Sequence, residues 1–137
     1  MLKAAMHLLR GMFRGEGQEG IETPVDETAS FRLDYGELEV GLLQLRDGQW
    51  SFRYSEAFRK QTDEADGVQP LVDFPDVGRV YESRELWPFF MARIPSLSQP
   101  RIQAEIARRG LDRASAPQLL QAFGEWSIAN PFRLHAA

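Results

Sequence analysis

The chain of 137 residues contains no cysteine. That excludes disulfide staples, thiolate metal sites and cysteine nucleophiles, and it suits a reducing cytoplasm. Histidine is nearly missing too: His7 and His135 stand near opposite ends, with no second imidazole or carboxylate at metal-ligand spacing. Neither histidine has a hydrolase motif around it, and G-x-S-x-G does not occur. No apolar run approaches the roughly 18–20 residues of a membrane-spanning helix. Excess positive charge is lacking as well: the net charge is −4. Non-specific nucleic-acid binding needs Lys and Arg to neutralise phosphates, so only a local basic patch could supply it. The expectation is a single globular, cytoplasmic domain with no catalytic, cofactor or metal site, no membrane segment and no direct nucleic-acid contact.

What is present changes character along the chain. Leu2, Met6, Leu9 and Phe13 recur at helical spacing, which predicts an amphipathic helix over 1–14. Gly15, Gly17, Gly20 and Pro24 follow, among charges that are all acidic. Residues 1–30 therefore read as an N-terminal helix and a flexible acidic linker, ahead of a folded domain over 31–137. Gly15–Gly20 matches G-x-G-x-x-G literally, but a helix precedes it and two carboxylates lie within it. A phosphate cradle needs a strand before it and no such repulsion.

From Phe31 the periodicity becomes two. Phe31, Leu33 and Tyr35, then Leu38, Val40 and Leu42, alternate with other residues. Asp47-Gly48 suits a two-residue hairpin turn in which both positions take positive φ. That turn sets Leu45 opposite Trp50, Leu43 opposite Phe52 and Gly41 opposite Tyr54, while Leu42 falls on the other face. A bulge, or a second buried face, follows from that conflict. Residues 60–70 read as a loop, and Leu71–Phe74 as a short edge strand ended by Pro75.

The remainder reads as helical. Ser83 can cap a helix towards Ile94, kinked at Pro88 or starting only near Trp87. Ser98 can cap a second, with Pro100 in its first turn and Gly110 at its end. Ser115-Ala116-Pro117-Gln118 is a capping box for a third, ended by Gly124. The tail from Trp126 to Leu134 is apolar enough to pack back on the body. The fold class is α+β: a small, mostly antiparallel sheet with a hairpin, followed by three or four helices.

Trp87, Phe89, Phe90 and Met91 cannot share one face of a helix, so most belong to the core. The ring left outside is a candidate partner anchor, since aromatic and arginine side chains dominate binding hot spots. Trp87 is the expected anchor, with Arg93 beside it and Arg101 and Arg108 as partner-binding cations. The helix–Gly110–helix arrangement superficially suggests a helix-turn-helix, but its second helix offers only Gln118 and Gln121 to read bases.

Val40-Gly41-Leu42-Leu43, Gly48 and Ser51-Phe52-Arg53-Tyr54 resemble the opening V-G-x-L…G…F-x-Y of HipA-type serine/threonine kinases. Pro75, the Tyr81-Glu82-Ser83-Arg84-Glu85-Leu86-Trp87-Pro88-Phe89-Phe90 segment, Pro95 and Arg108-Arg109-Gly110-Leu111-Asp112 are similar to later motifs of that family, in the same order. The resemblance covers about residues 31–125, the extent of the family's N-terminal subdomain. Ser96 and Leu97 replace the family's Glu-Gly, and Gly124–Ile128 replaces its small-residue continuation. No phosphate loop, catalytic aspartate or metal-binding segment accompanies these motifs, and phosphoryl transfer requires them. Stand-alone versions of the subdomain act in split toxin–antitoxin systems. The resemblance thus implies an antitoxin that docks on and restrains a HipA-like kinase lacking its own N-terminal subdomain. It also admits a contact, through that complex, with a helix-turn-helix DNA-binding protein. The alternatives are an accessory subunit that supports its kinase, or a DNA-binding regulator.

Overall fold

The computed structural model describes residues 17–137, so the helix expected over 1–14 and His7 lie outside the described residues. Strands β1 (Ala29–Tyr35), β2 (Leu38–Arg46) and β3 (Gln49–Tyr54) are followed by helix α1 (Glu56–Gln61). Then come β4 (Tyr81–Ser83), α2 (Pro88–Met91), α3 (Pro100–Arg109), α4 (Ala116–Phe123) and β5 (Arg133–Ala136). The strands form one sheet, ordered β4-β3-β2-β1-β5, with every pairing antiparallel. The class is α+β. The expected order of a sheet followed by helices needs correction, because α1 lies between β3 and β4 and the last strand, β5, follows all the helices.

The hairpin forms in the expected register, with Leu45 facing Trp50, Leu43 facing Phe52 and Gly41 facing Tyr54. Asp47 and Gly48 take φ of 53° and 72°, which matches the right-handed strand twist. The β1–β2 ladder shifts between Leu33 and Asp34, so Leu33 faces Gly41, Asp34 faces Glu39, and Val40 has no partner. This bulge turns Val40 into the core beside Leu43 and Leu45 and leaves Leu42 half-buried on the opposite face. Gly41 cannot be enlarged: a Cβ there would stand 2.5 Å from the Arg53 carbonyl oxygen and 2.7 Å from Cζ of Phe52.

One sheet face carries Phe31, Leu33, Leu43, Leu45, Trp50, Phe52 and Tyr54, all buried. Ile21, Phe58, Phe74, Phe90, Leu119 and Leu120 close over them. The edge strand expected at Leu71–Phe74 does not form. Tyr54 Oη accepts from Leu71 N at 2.8 Å and donates to Phe74 O at 2.6 Å, which pins the segment as a turn beneath the core. The sheet edge is taken by Tyr81–Ser83 instead.

Burial pushes the Tyr54 phenol up to about 12, against the opposing pull of the Leu71 N–H. The folded state therefore holds this proton more tightly than the unfolded chain, whose phenol titrates near 10. The resulting stabilisation is full below pH 10 and is lost as pH rises towards 12. Arg93, pushed down to about 10 by burial, contributes a slope of opposite sign in the same range. Comparison with Tyr54→Phe isolates the phenol. Urea denaturation at pH 8 and pH 11 should show the wild type losing more stability than the variant, whose own cost at pH 8 is about 1–2 kcal/mol. Equal losses in both proteins would refute the assignment.

Residues 17–30 are not the flexible linker that their composition suggests. Ile21 is buried and Gln18 donates from Nε2 to the carbonyls of Met91 (2.9 Å) and Ile94 (2.5 Å). Glu22 exchanges backbone bonds with Ala114 and Ala116, and Thr23 Oγ1 accepts from Trp50 Nε1 at 2.8 Å. Glu27 Oε1 accepts from both Ser115 Oγ and Gln118 Nε2 at the start of α4. Its polarity serves fixed partners in a strap that runs under α2 and α4, so composition alone misjudged it.

Candidate partner-binding surface

Helix α2 begins where the second of the two expected readings placed it. Trp87 is its extended N-cap and Pro88 its first residue, a position where the missing proline N–H costs nothing. Ser83 caps no helix: its Oγ accepts from Glu85 N at 3.1 Å. Asp73 Oδ2 accepts from Phe89 N at 3.3 Å and so caps α2 from the neighbouring turn. The Trp87 ring is half-buried and meets Phe74 edge-on, with centroids 5.0 Å apart. Phe74 also contacts Phe52, Tyr81 and Phe90 at centroid distances of 4.4, 5.1 and 6.1 Å. Trp87 is therefore mainly a flank of the core and presents only part of its ring.

Arg93 stands corrected as a surface neighbour of Trp87, because it is only 4% exposed. Its Nε donates to Gly124 O at 2.6 Å, and Nη2 donates to Phe132 O at 2.6 Å and Glu125 O at 3.0 Å. Nη1 reaches Asn130 Oδ1 at 3.3 Å. A planar fork with several fixed donors can satisfy converging carbonyls in a way an ammonium cannot. The sequence showed an arginine near an aromatic cluster, and only the return of the C-terminal loop determines that it faces inward.

Arg101 and Arg108 are exposed, as expected. Seven residues apart on α3, they share one face of the helix. Arg108 is held by Glu105 through Nε (2.6 Å) and Nη2 (2.8 Å), which raises the guanidinium's pKa and lowers that of the carboxyl. The helix starts at Pro100 after a Gln99 N-cap, one residue beyond the expected Ser98, and ends at Gly110 in the left-handed region. Trp87 stands at the start of α2, whereas Arg101 and Arg108 belong to α3.

The structure brings forward a different surface. Between α4 and β5 the chain runs Trp126-Ser127-Ile128-Ala129-Asn130-Pro131-Phe132, seven residues without a charge. Trp126 is 63% exposed and Ile128 fully exposed. Arg133 stacks its guanidinium over the indole at 4.3 Å while donating to Glu125 Oε1. Phe132 contacts Tyr35 at 5.4 Å and Phe89 at 5.8 Å, joining the loop to the half-buried rings of α2. The tail was expected to pack back on the body, and Leu134 does so, whereas Trp126 and Ile128 point away. The uncharged run flanked by Glu125 and Arg133 was the signal available in the sequence. Its exposure was not legible there.

The arrangement can bind by apolar insertion with a polar rim. Among the described residues, no group of three or more His, Asp or Glu side chains is placed to hold a metal ion. None of the helices there is long and apolar enough to cross a membrane. No protein-family model matches the chain, and no curated protein matches it.

Proposed function

We propose that this chain is a non-catalytic, cytoplasmic protein-binding domain that docks on a separate HipA-like kinase and restrains it, as the antitoxin of a split toxin–antitoxin system. One observation carries the reading: the segments that resemble the kinase subdomain pack together as a unit. Phe52 of the hairpin, the turn before Pro75 and the Tyr81–Phe90 segment meet in a single ring cluster around Phe74. A unit of this kind completes a kinase that lacks it, and docking near the active-site cleft blocks substrate entry or closure. The exposed arginines of α3, Arg101 and Arg108, suit an acidic rim on the partner.

Co-expression tests this. A toxic kinase lacking the subdomain should arrest growth alone, and this chain should restore it. Continued arrest in the presence of excess folded protein would overturn the restraining role. Kinase activity that rises on adding the chain would favour the accessory-subunit alternative.

A further inference from the structure

We infer that residues 1–14 of this chain lie on the exposed loop between α4 and β5, with their apolar stripe over Trp126 and Ile128. The occupant is thus a segment of the chain itself, one outside the described residues. The first support is the place where the described chain begins. Gly17 O accepts from Leu97 N, and Gln18 Nε2 donates to the carbonyls of Met91 and Ile94 at the end of α2. Arg93, between those two residues, donates to Gly124 and Glu125 at one end of the loop and to Phe132 at the other. The residues before Gly17 therefore leave the fold beside the same end of α2 that, through Arg93, holds both ends of the loop.

Reach and chemistry agree with that placement. Residues 14–16 separate Phe13 from Gly17 and can span about 10 Å, and a helix over 1–14 would extend about 21 Å beyond them. Leu2, Met6, Leu9 and Phe13 recur at helical spacing, and Ala5, Leu8 and Met12 widen their stripe. The loop offers the matching surface, with Trp126 63% exposed and Ile128 fully exposed in a run of seven uncharged residues. Laying the stripe on the loop withdraws apolar surface from water on both sides. Charge favours the contact too. Residues 1–14 carry Lys3, Arg10 and Arg14 and no acid, whereas the whole chain has a net charge of −4, so the remainder is acidic. Arg93 braces the loop beforehand, which lowers the ordering cost of the contact. Because both surfaces belong to one chain, they meet at an effective concentration that a separate protein or a lipid surface has to exceed.

The chain has no cysteine, so an engineered pair reports without background. In the full chain, Leu9→Cys is combined with Ile128→Cys. One comparison combines Leu9→Cys with Val72→Cys, an equally open position elsewhere, 95% exposed. The other combines Arg10→Cys with Ile128→Cys and probes the polar side of the same segment. Mild oxidation at low micromolar protein should close the first pair at least tenfold faster than either comparison, as a disulfide within one chain identified by mass spectrometry. Adding Met6→Asp and Phe13→Asp, which alters no described residue, should abolish that advantage. Equal rates for the three pairs, a disulfide between two chains, or an advantage that survives the two aspartates overturns the inference. So does a full chain that leaves the first pair open and instead sediments with phosphatidylserine vesicles. The readout needs no partner, so it is decided separately from the growth assay that tests the docking reading.

Discussion

Replacing Arg93 with methionine should destabilise the protein by about 3 kcal/mol, since hydrogen bonds to a charged group are worth about 1.5–3 kcal/mol each and buried acceptors left alone carry their own penalty. The gain from removing a buried charge offsets part of that sum. The loss should be visible as a lower urea midpoint and as faster amide exchange at Leu134, whose N–H donates to the same Glu125 carbonyl that Arg93 holds. Lysine at this position keeps the charge but not the fork, and a single ammonium cannot span Gly124, Glu125, Phe132 and Asn130. Arg93→Lys should therefore recover less than half of the loss. A midpoint unchanged by Arg93→Met would show that the loop is held by β5 and not by this side chain.

Phe74→Ala should be comparably severe, at about 3–5 kcal/mol, the range for removing a buried phenylalanine without collapse of the site. Phe74 belongs to no strand or helix, yet its ring touches Phe52, Tyr81, Trp87 and Phe90. Its own carbonyl is tied to Tyr54 Oη, so the backbone cannot readily sink into the cavity. Thermal denaturation gives the comparison, with Val72→Ala, two residues away and exposed, as the neutral control. Similar melting temperatures for the two variants would mean that the ring cluster is not the centre of the core. Together the two substitutions separate two parts of the fold: one loosens the loop before β5, the other the ring cluster around Phe74.

Local rules were enough wherever neighbours in sequence decide the outcome. Asp47-Gly48 is a turn because two adjacent residues accept positive φ, and the facing pairs of β2 and β3 follow by counting outward. The starts of α3 and α4 follow from prolines that pre-set φ, and Ser115 Oγ accepts from Gln118 N as the capping box requires. The bulge beside Leu42 was legible as a conflict between two apolar faces. Elsewhere the same rules misled. Residues 17–30 have the composition of a solvated segment, but Glu22, Thr23 and Glu27 spend their polarity on Ala114, Ala116, Trp50, Ser115 and Gln118. Those partners lie from 27 to 94 residues away, beyond any local pattern.

The candidate site shows the same division. The sequence by itself determined that Trp87, Phe89, Phe90 and Met91 could not share one helix face, that Arg101 and Arg108 belong to a helix stopped by Gly110, and that no local motif for catalysis was present. Only the tertiary structure decided which ring and which arginine face outward. Trp87 is drawn against Phe74 because a turn 13 residues earlier is pinned beneath it by Tyr54. Arg93 is drawn inward because the chain returns past α2 with three carbonyls that need a donor. Trp126 and Ile128 are left outside because β5 pairs with β1 and fixes both ends of the loop before it. Spacing along a chain sets which side chains can share a face. Which face is then buried depends on what else the rest of the chain brings to it.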